Sequence, residues 1–149
     1  MRARRVLWVS AAALAAATAT AGERRVQVKD LPPAVQASVQ VQTKDAQGFR
    51  VSEEQEDGKT VYEVETEVNG LSRDVTIDTS GVVVEVEEEI DPARLPAAAR
   101  QAVLAATGGV IKKVEATTRD GVTEYEVGVK GGHGPSKLIV GADGALRQE

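Results

Sequence analysis

Leu31-Pro32-Pro33-Ala34-Val35 reappears as Leu95-Pro96-Ala97-Ala98-Ala99, and the turn pair Asp57-Gly58 with its following Tyr62-Glu63-Val64 reappears as Asp120-Gly121 with Tyr125-Glu126-Val127. Gly81 recurs at Gly144, at the interval that separates Asp57 from Asp120. Matches in one order at nearly one interval mark an internal duplication, and they limit the chain to folds in which one supersecondary unit occurs twice. The interval from Leu31 to Leu95 is longer by a single position than that from Asp57 to Asp120, which places a one-residue loss between the opening of the unit and its strands.

Each unit opens with a helix. In the second, Leu95, Ala98, Ala99, Ala102, Val103 and Ala106 follow helical spacing until Gly108-Gly109 ends it. Asp91-Pro92 supplies an N-cap and a proline, and Pro96 delays the regular helix to the residues after it. The first unit has a thinner stripe at Leu31, Val35 and Val39.

After each helix the period becomes two. Tyr62, Val64, Thr66 and Val68 alternate with Val61, Glu63, Glu65 and Glu67, and after Asn69-Gly70, Val75 and Ile77 alternate with Asp74, Thr76 and Asp78. Past the turn at Gly81, Val82, Val84 and Val86 continue the apolar side, opposed by Val83, Glu85 and Glu87. With the segment Phe49–Gln55, this predicts one helix and four antiparallel strands. In the second unit the strands fall near Val110–Thr118, Thr123–Val129, Lys137–Val140 and Ala145–Arg147. The expected fold class is α+β, two tandem helix-plus-four-stranded antiparallel sheet units with one helix backing each sheet, and the other face of each sheet wet. Whether the sheets join edge to edge is left open by the sequence.

Arg2, Arg4 and Arg5, an apolar run from Val6 to Ala17 and the small residues Ala19-Thr20-Ala21 form an export signal. The run is too short for a spanning helix, which needs roughly 20 apolar residues. Cleavage is expected after Ala21, giving a signal over 1–21, units over 22–89 and 90–149, and a periplasmic or secreted protein without stable membrane insertion. No cysteine is present, so packing alone must hold the fold. Aromatics after the signal are only Phe49, Tyr62 and Tyr125, and each tyrosine is expected in the core of its unit. Charge is uneven: residues 23–52 sum to +2, 53–91 to −12 and 92–149 to +2. The acidic middle disfavours nucleic acid and anionic membrane as partners.

A helix begun by Leu-Pro, an Asp-Gly turn, a Tyr-Glu-Val strand, and a later strand followed by Asp-x-x-Gly or Ala-Asp-Gly together resemble the PepSY-like family of exported bacterial proteins. That family is also described as resembling proteinaceous β-lactamase inhibitors. The resemblance implies a non-enzymatic cell-envelope binding module that holds or restrains a peptidase or other hydrolase. The chain departs from the pattern at its glycine-rich loop and in its few aromatics, which inhibitors use as anchors.

Enzyme signatures are largely missing. His133 is the one histidine, cysteine is absent and no serine sits in a Gly-x-Ser-x-Gly elbow. Gly131-Gly132-His133-Gly134-Pro135-Ser136 could be imagined as a nucleophile pair or a phosphate cradle, but Lys137 opens a strand where a phosphate loop leads into a helix. It reads as a hairpin connection. Zinc lacks ligands, the calcium-loop spacing is missing, and glutamates in a row on an open strand cannot face each other across a substrate as glycosidase carboxyls must. No cofactor, metal or catalytic residue is therefore assigned. The candidate partner-binding residues are Glu63, Glu65, Glu67, Asp74, Thr76, Asp78, Glu85 and Glu87, opposite Tyr62, Val64, Val75, Ile77, Val84 and Val86. Like charges across neighbouring strands repel, so fold stability alone does not favour them. They point to a protein or peptide with a basic surface. The alternatives are a passive calcium- or cation-binding envelope protein, or an enzyme with no legible site.

Overall fold

The structure is a computed structural model that describes residues 23–147. The expected signal over 1–21 and its cleavage site lie outside these residues. In chain order the elements are β1 (Arg24–Arg25), α1 (Pro33–Gln42), β2 (Phe49–Glu56), β3 (Lys59–Val68), β4 (Leu71–Asp78), β5 (Val83–Ile90), α2 (Ala97–Thr107), β6 (Val110–Arg119), β7 (Val122–Lys130), β8 (Lys137–Gly141) and β9 (Leu146–Arg147). A short 3₁₀ turn precedes each helix, at Val28–Asp30 and Pro92–Arg94.

The expectation of two four-stranded sheets, each backed by its own helix, is corrected. The nine strands among the described residues form one antiparallel sheet in sequence order. The join is β5, which pairs on both edges: Asp74 faces Glu87 and Val75 faces Val86 on the β4 side, while Glu87 faces Thr117 and Val86 faces Thr118 on the β6 side. A sheet ending at β5 would leave a row of unpaired N–H and C=O groups, and the next strand of the chain is at hand to satisfy them. Both helices lie on one face of this sheet. Leu31, Val35 and Val39 pack with Val51, Tyr62, Val64, Val75 and Ile77, and Leu95, Ala99 and Val103 pack with Ile90, Val114, Ala116, Val127, Val129 and Val140.

The turns follow from local chemistry. At Asp57-Gly58, Asn69-Gly70 and Asp120-Gly121 both residues have positive φ, at 48° and 76°, 54° and 77°, and 52° and 75°. These are the conformations that let a two-residue loop match the twist of its strands, and Asn, Asp and Gly adopt them most readily. Pro33 at the start of α1 has no N–H to leave unsatisfied. α2 ends at Gly108 in the left-handed conformation, φ 62°, with its N–H bonded to the Leu104 carbonyl.

Strand β5 departs from the expected alternation. A bulge between Thr76 and Ile77 on the β4–β5 pair sets Thr76 against Glu85 but Ile77 against Val83. One extra residue shifts the pleat, so Val83 and Val86 pack on the first core while Val82 is 57% exposed. Tyr62 is buried, and Tyr125 is partly buried against the second core. Gly81 and Gly144 press on the first turns of the helices. A Cβ there would lie 2.6 Å from the Ala34 carbonyl oxygen and 2.8 Å from that of Ala98, respectively.

Candidate functional site

With both helices on one side, the opposite face of the sheet is uncovered among the described residues. Strand register arranges its acids in rows that cross the strands. Glu65 on β3 faces Asp74 on β4, which faces Glu87 on β5. In the neighbouring row Glu63 faces Thr76, which faces Glu85. Ser52, Val61 and Thr76 on this face are only 6%, 7% and 9% exposed and form its floor, shaded by the longer acids around them.

Crowding and partial burial hold protons on this face. Glu63 is pushed up to about 9, first by burial, then by a hydrogen bond with Glu54 and by the charges of Glu54, Asp74 and Glu65. Asp74 rises to about 6 through burial and the charge of Glu65. Glu87 is raised too, by burial and then by Glu85, Glu115 and Asp74. Desolvation and like charge both disfavour the ionised form.

Two cations flank the cluster. Arg50 on β2 donates to Glu65 at 2.6 Å through Nε, and Arg119 on β6 pairs with Glu85. Among the described residues no ion pair holds Glu63, Asp74 or Glu87, which therefore form its centre. Glu67 lies at the hairpin end of β3 opposite Ser72, away from this centre. Asp78 is diverted to the β4–β5 turn, where its carboxylate accepts from the Ser80 N–H at 2.9 Å, the Ser80 hydroxyl at 2.6 Å and the Val82 N–H at 3.0 Å. These bonds hold it below the ordinary carboxylate range, the Ser80 hydroxyl contributing most. Glu54, Arg50 and Arg119 belong to the site and were not picked out from the sequence. Alternation along β2 from the apolar Val51 would have placed Arg50 and Glu54 on the wet face.

On the second half of the face the acids have basic partners. Glu126 pairs with Lys137, Glu124 with Arg147 at 2.9 Å, and Lys113 sits 3.5 Å from Glu89 and 3.4 Å from Glu115.

The glycine-rich loop around His133 has a structural task. The His133 N–H donates to the Thr107 carbonyl at 2.8 Å, satisfying an oxygen at the end of α2. A Cβ on Gly132 would lie 2.1 Å from that same carbonyl oxygen, so the approach requires glycine. A hollow of about 390 Å³ lies between the end of α1 and the β3–β4 hairpin, lined by Val41, Gln42, Leu71, Arg73, Glu88 and Arg94. Its Arg73 is already engaged, at 2.8 Å to the Gln42 side chain and 3.8 Å to Glu88. Among the described residues no group of three or more His, Asp or Glu side chains is placed to hold a metal ion, and no helix is long and apolar enough to cross a membrane.

No family model and no curated protein matches the chain. Solved structures do. A Bacteroides eggerthii protein provisionally described as periplasmic superposes with a TM-score of 0.61 at 17% identity, covering 79% of this chain and 86% of its own. A DUF2874 family protein from Bacteroides uniformis gives 0.60 at 19%, covering 78% and 86%. A BLIP-like protein from Bacteroides fragilis gives 0.57 at 19%, covering 79% and 84%. At these identities the likeness is one of fold, an architecture shared with a protein described as BLIP-like. It supports the coarser half of the resemblance drawn from the sequence, the likeness to β-lactamase inhibitor proteins, whereas nothing in the comparisons matches PepSY.

Proposed function

We propose that the chain is a periplasmic, non-enzymatic binding module that holds a protein with a basic surface against the open face of its sheet. The carrying observation is the uncovered row Glu65–Asp74–Glu87 with Glu63 beside it. Three acids in register cost the fold stability, roughly 0.2 to 1 kcal/mol for each directly opposed pair, and a cationic partner would offset that cost. The BLIP-like and periplasmic descriptions of the fold's neighbours support both the class of activity and the compartment. Restraint of a hydrolase is the form of binding that the likeness to inhibitors favours. In this account 22–89 and 90–149 are two copies of one ancestral unit sharing a sheet, and the first copy carries the recognition.

The test is titration calorimetry with a protein recovered on the immobilised chain from periplasmic extract, run at several salt concentrations. Affinity should fall as the screening length drops below about 10 Å, and Glu65→Gln/Asp74→Asn/Glu87→Gln should weaken binding and flatten its salt dependence. A folded variant with unchanged affinity and unchanged salt response would reduce the cluster to a solvated face.

A further inference from the structure

We infer that copies of this chain associate head to tail, the β8–β9 edge of one joining the β2 edge of the next so that the sheet continues between them. The register inside the chain supplies the template. At β1–β2 Arg24 faces Glu53 and Arg25 faces Ser52, and the repeat carries these pairs onto β5–β6, where Glu88 faces Ala116 and Glu89 faces Glu115. At β4–β5 Ile77 faces Val83, and the repeat carries that pair onto β8–β9, where Val140 faces Leu146. β1 and β9 thus stand in the places of the two ends of β5, one at each edge of the sheet.

Among the described residues these short strands leave both edges incomplete. On β2, Glu54, Gln55 and Glu56 pair only with β3 among the described residues, whereas their repeat equivalents on β6, Thr117, Thr118 and Arg119, also pair with Glu87, Val86 and Glu85. At the other edge Leu146 is 45% exposed, while Val83 in the corresponding place packs on the first core. Such edges are templates for a further strand.

Charge names the occupant. At the internal junction Glu85 of β5 pairs with Arg119 of β6. Arg147 faces Ile139 as Glu85 faces Thr76, so it occupies the place of Glu85, and Glu56 occupies the place of Arg119. The two edges therefore carry the same ion pair with its signs reversed, one member at each edge of the sheet. Arg147 touches Glu124 within its own copy, and a guanidinium has donors enough for a second carboxylate. Charged edges ordinarily keep copies apart, but here the opposite signs bring unlike ends together.

Sedimentation velocity of the exported chain across a concentration series in ~50 mM salt, where screening is weak, tests this. A heterologous contact leaves an unsatisfied edge at each end of a dimer, so the mean mass should climb past dimer and trimer as concentration rises. Glu56→Arg alone and Arg147→Glu alone should each weaken association about tenfold, and the two together should restore it. Both sites are exposed, and thermal melts would verify that the variants fold. A monomer up to ~1 mM, a plateau at dimer, single variants without effect, or a double variant that does not recover would each overturn the inference.

Discussion

Asp74 stands directly opposite Glu65 across the β3–β4 pair, two carboxylates in register on a half-buried face. The folded chain therefore holds protons that the unfolded chain releases. Glu63 moves from 4.5 to about 9 and Asp74 from 3.8 to about 6. A raised folded-state value contributes stability that is complete below the unfolded value and disappears as pH rises through the folded one. Tm should increase as pH falls from 9 through 6 toward 5, with Glu63 acting over the whole of that range and Asp74 adding to it below about 6. A Tm that is flat or falls on acidification from 8 to 5 would contradict this electrostatic account.

Glu63→Gln removes the group with the largest upward shift while keeping its shape. Its Tm should exceed that of the parent at pH 9 and approach it near pH 5, measured in parallel melts. An equal difference at both pH values would mean that the substitution acts through packing.

Gly81→Ala and Gly144→Ala bring a Cβ within 2.6 Å and 2.8 Å of the Ala34 and Ala98 carbonyl oxygens, at φ of 86° and 85°. Each should cost more than the ~1 to 2 kcal/mol of left-handed strain alone. Gly70→Ala is the control, since its φ is 77° but nothing lies within 4 Å of the added carbon. Urea unfolding should rank Gly70→Ala as the mildest of the three.

Tyr62 is 6% exposed inside the first core, whereas Tyr125 is only partly buried beside the second. Tyr62→Ala should cost about 3 to 5 kcal/mol, as loss of a buried aromatic does, and Tyr125→Ala less. Denaturant midpoints of the two variants give the comparison directly.

Local signals made most elements legible. Asn69-Gly70 and the Asp-Gly pairs dictate their hairpins, Val35 and Val39 the buried face of α1, and Tyr62, Val64, Val75 and Ile77 the buried face of the sheet. Tertiary effects were not legible. Alternation cannot show a bulge, so it assigns Val84 to the core where Val83 belongs. No local pattern says that β5 has a neighbour on each side, or that Arg24 and Arg25 add a strand to β2. On the open face the acids of β3 to β5 can be read from alternation, whereas Arg119 reaches the cluster only through the β5–β6 pairing, and Asp78 leaves it because a turn claims its carboxylate.

Recognition of a basic protein by the acidic half of the open face is tested most directly by comparative capture. Parent, Glu65→Gln/Asp74→Asn/Glu87→Gln and Glu124→Gln/Glu126→Gln chains would be immobilised at equal density and exposed to the same periplasmic extract. Parent and second-half variant should retain the same basic proteins and release them as salt rises, and the first-half variant should lose them. Retention of those proteins by the first-half variant, with the same salt release, would contradict the account.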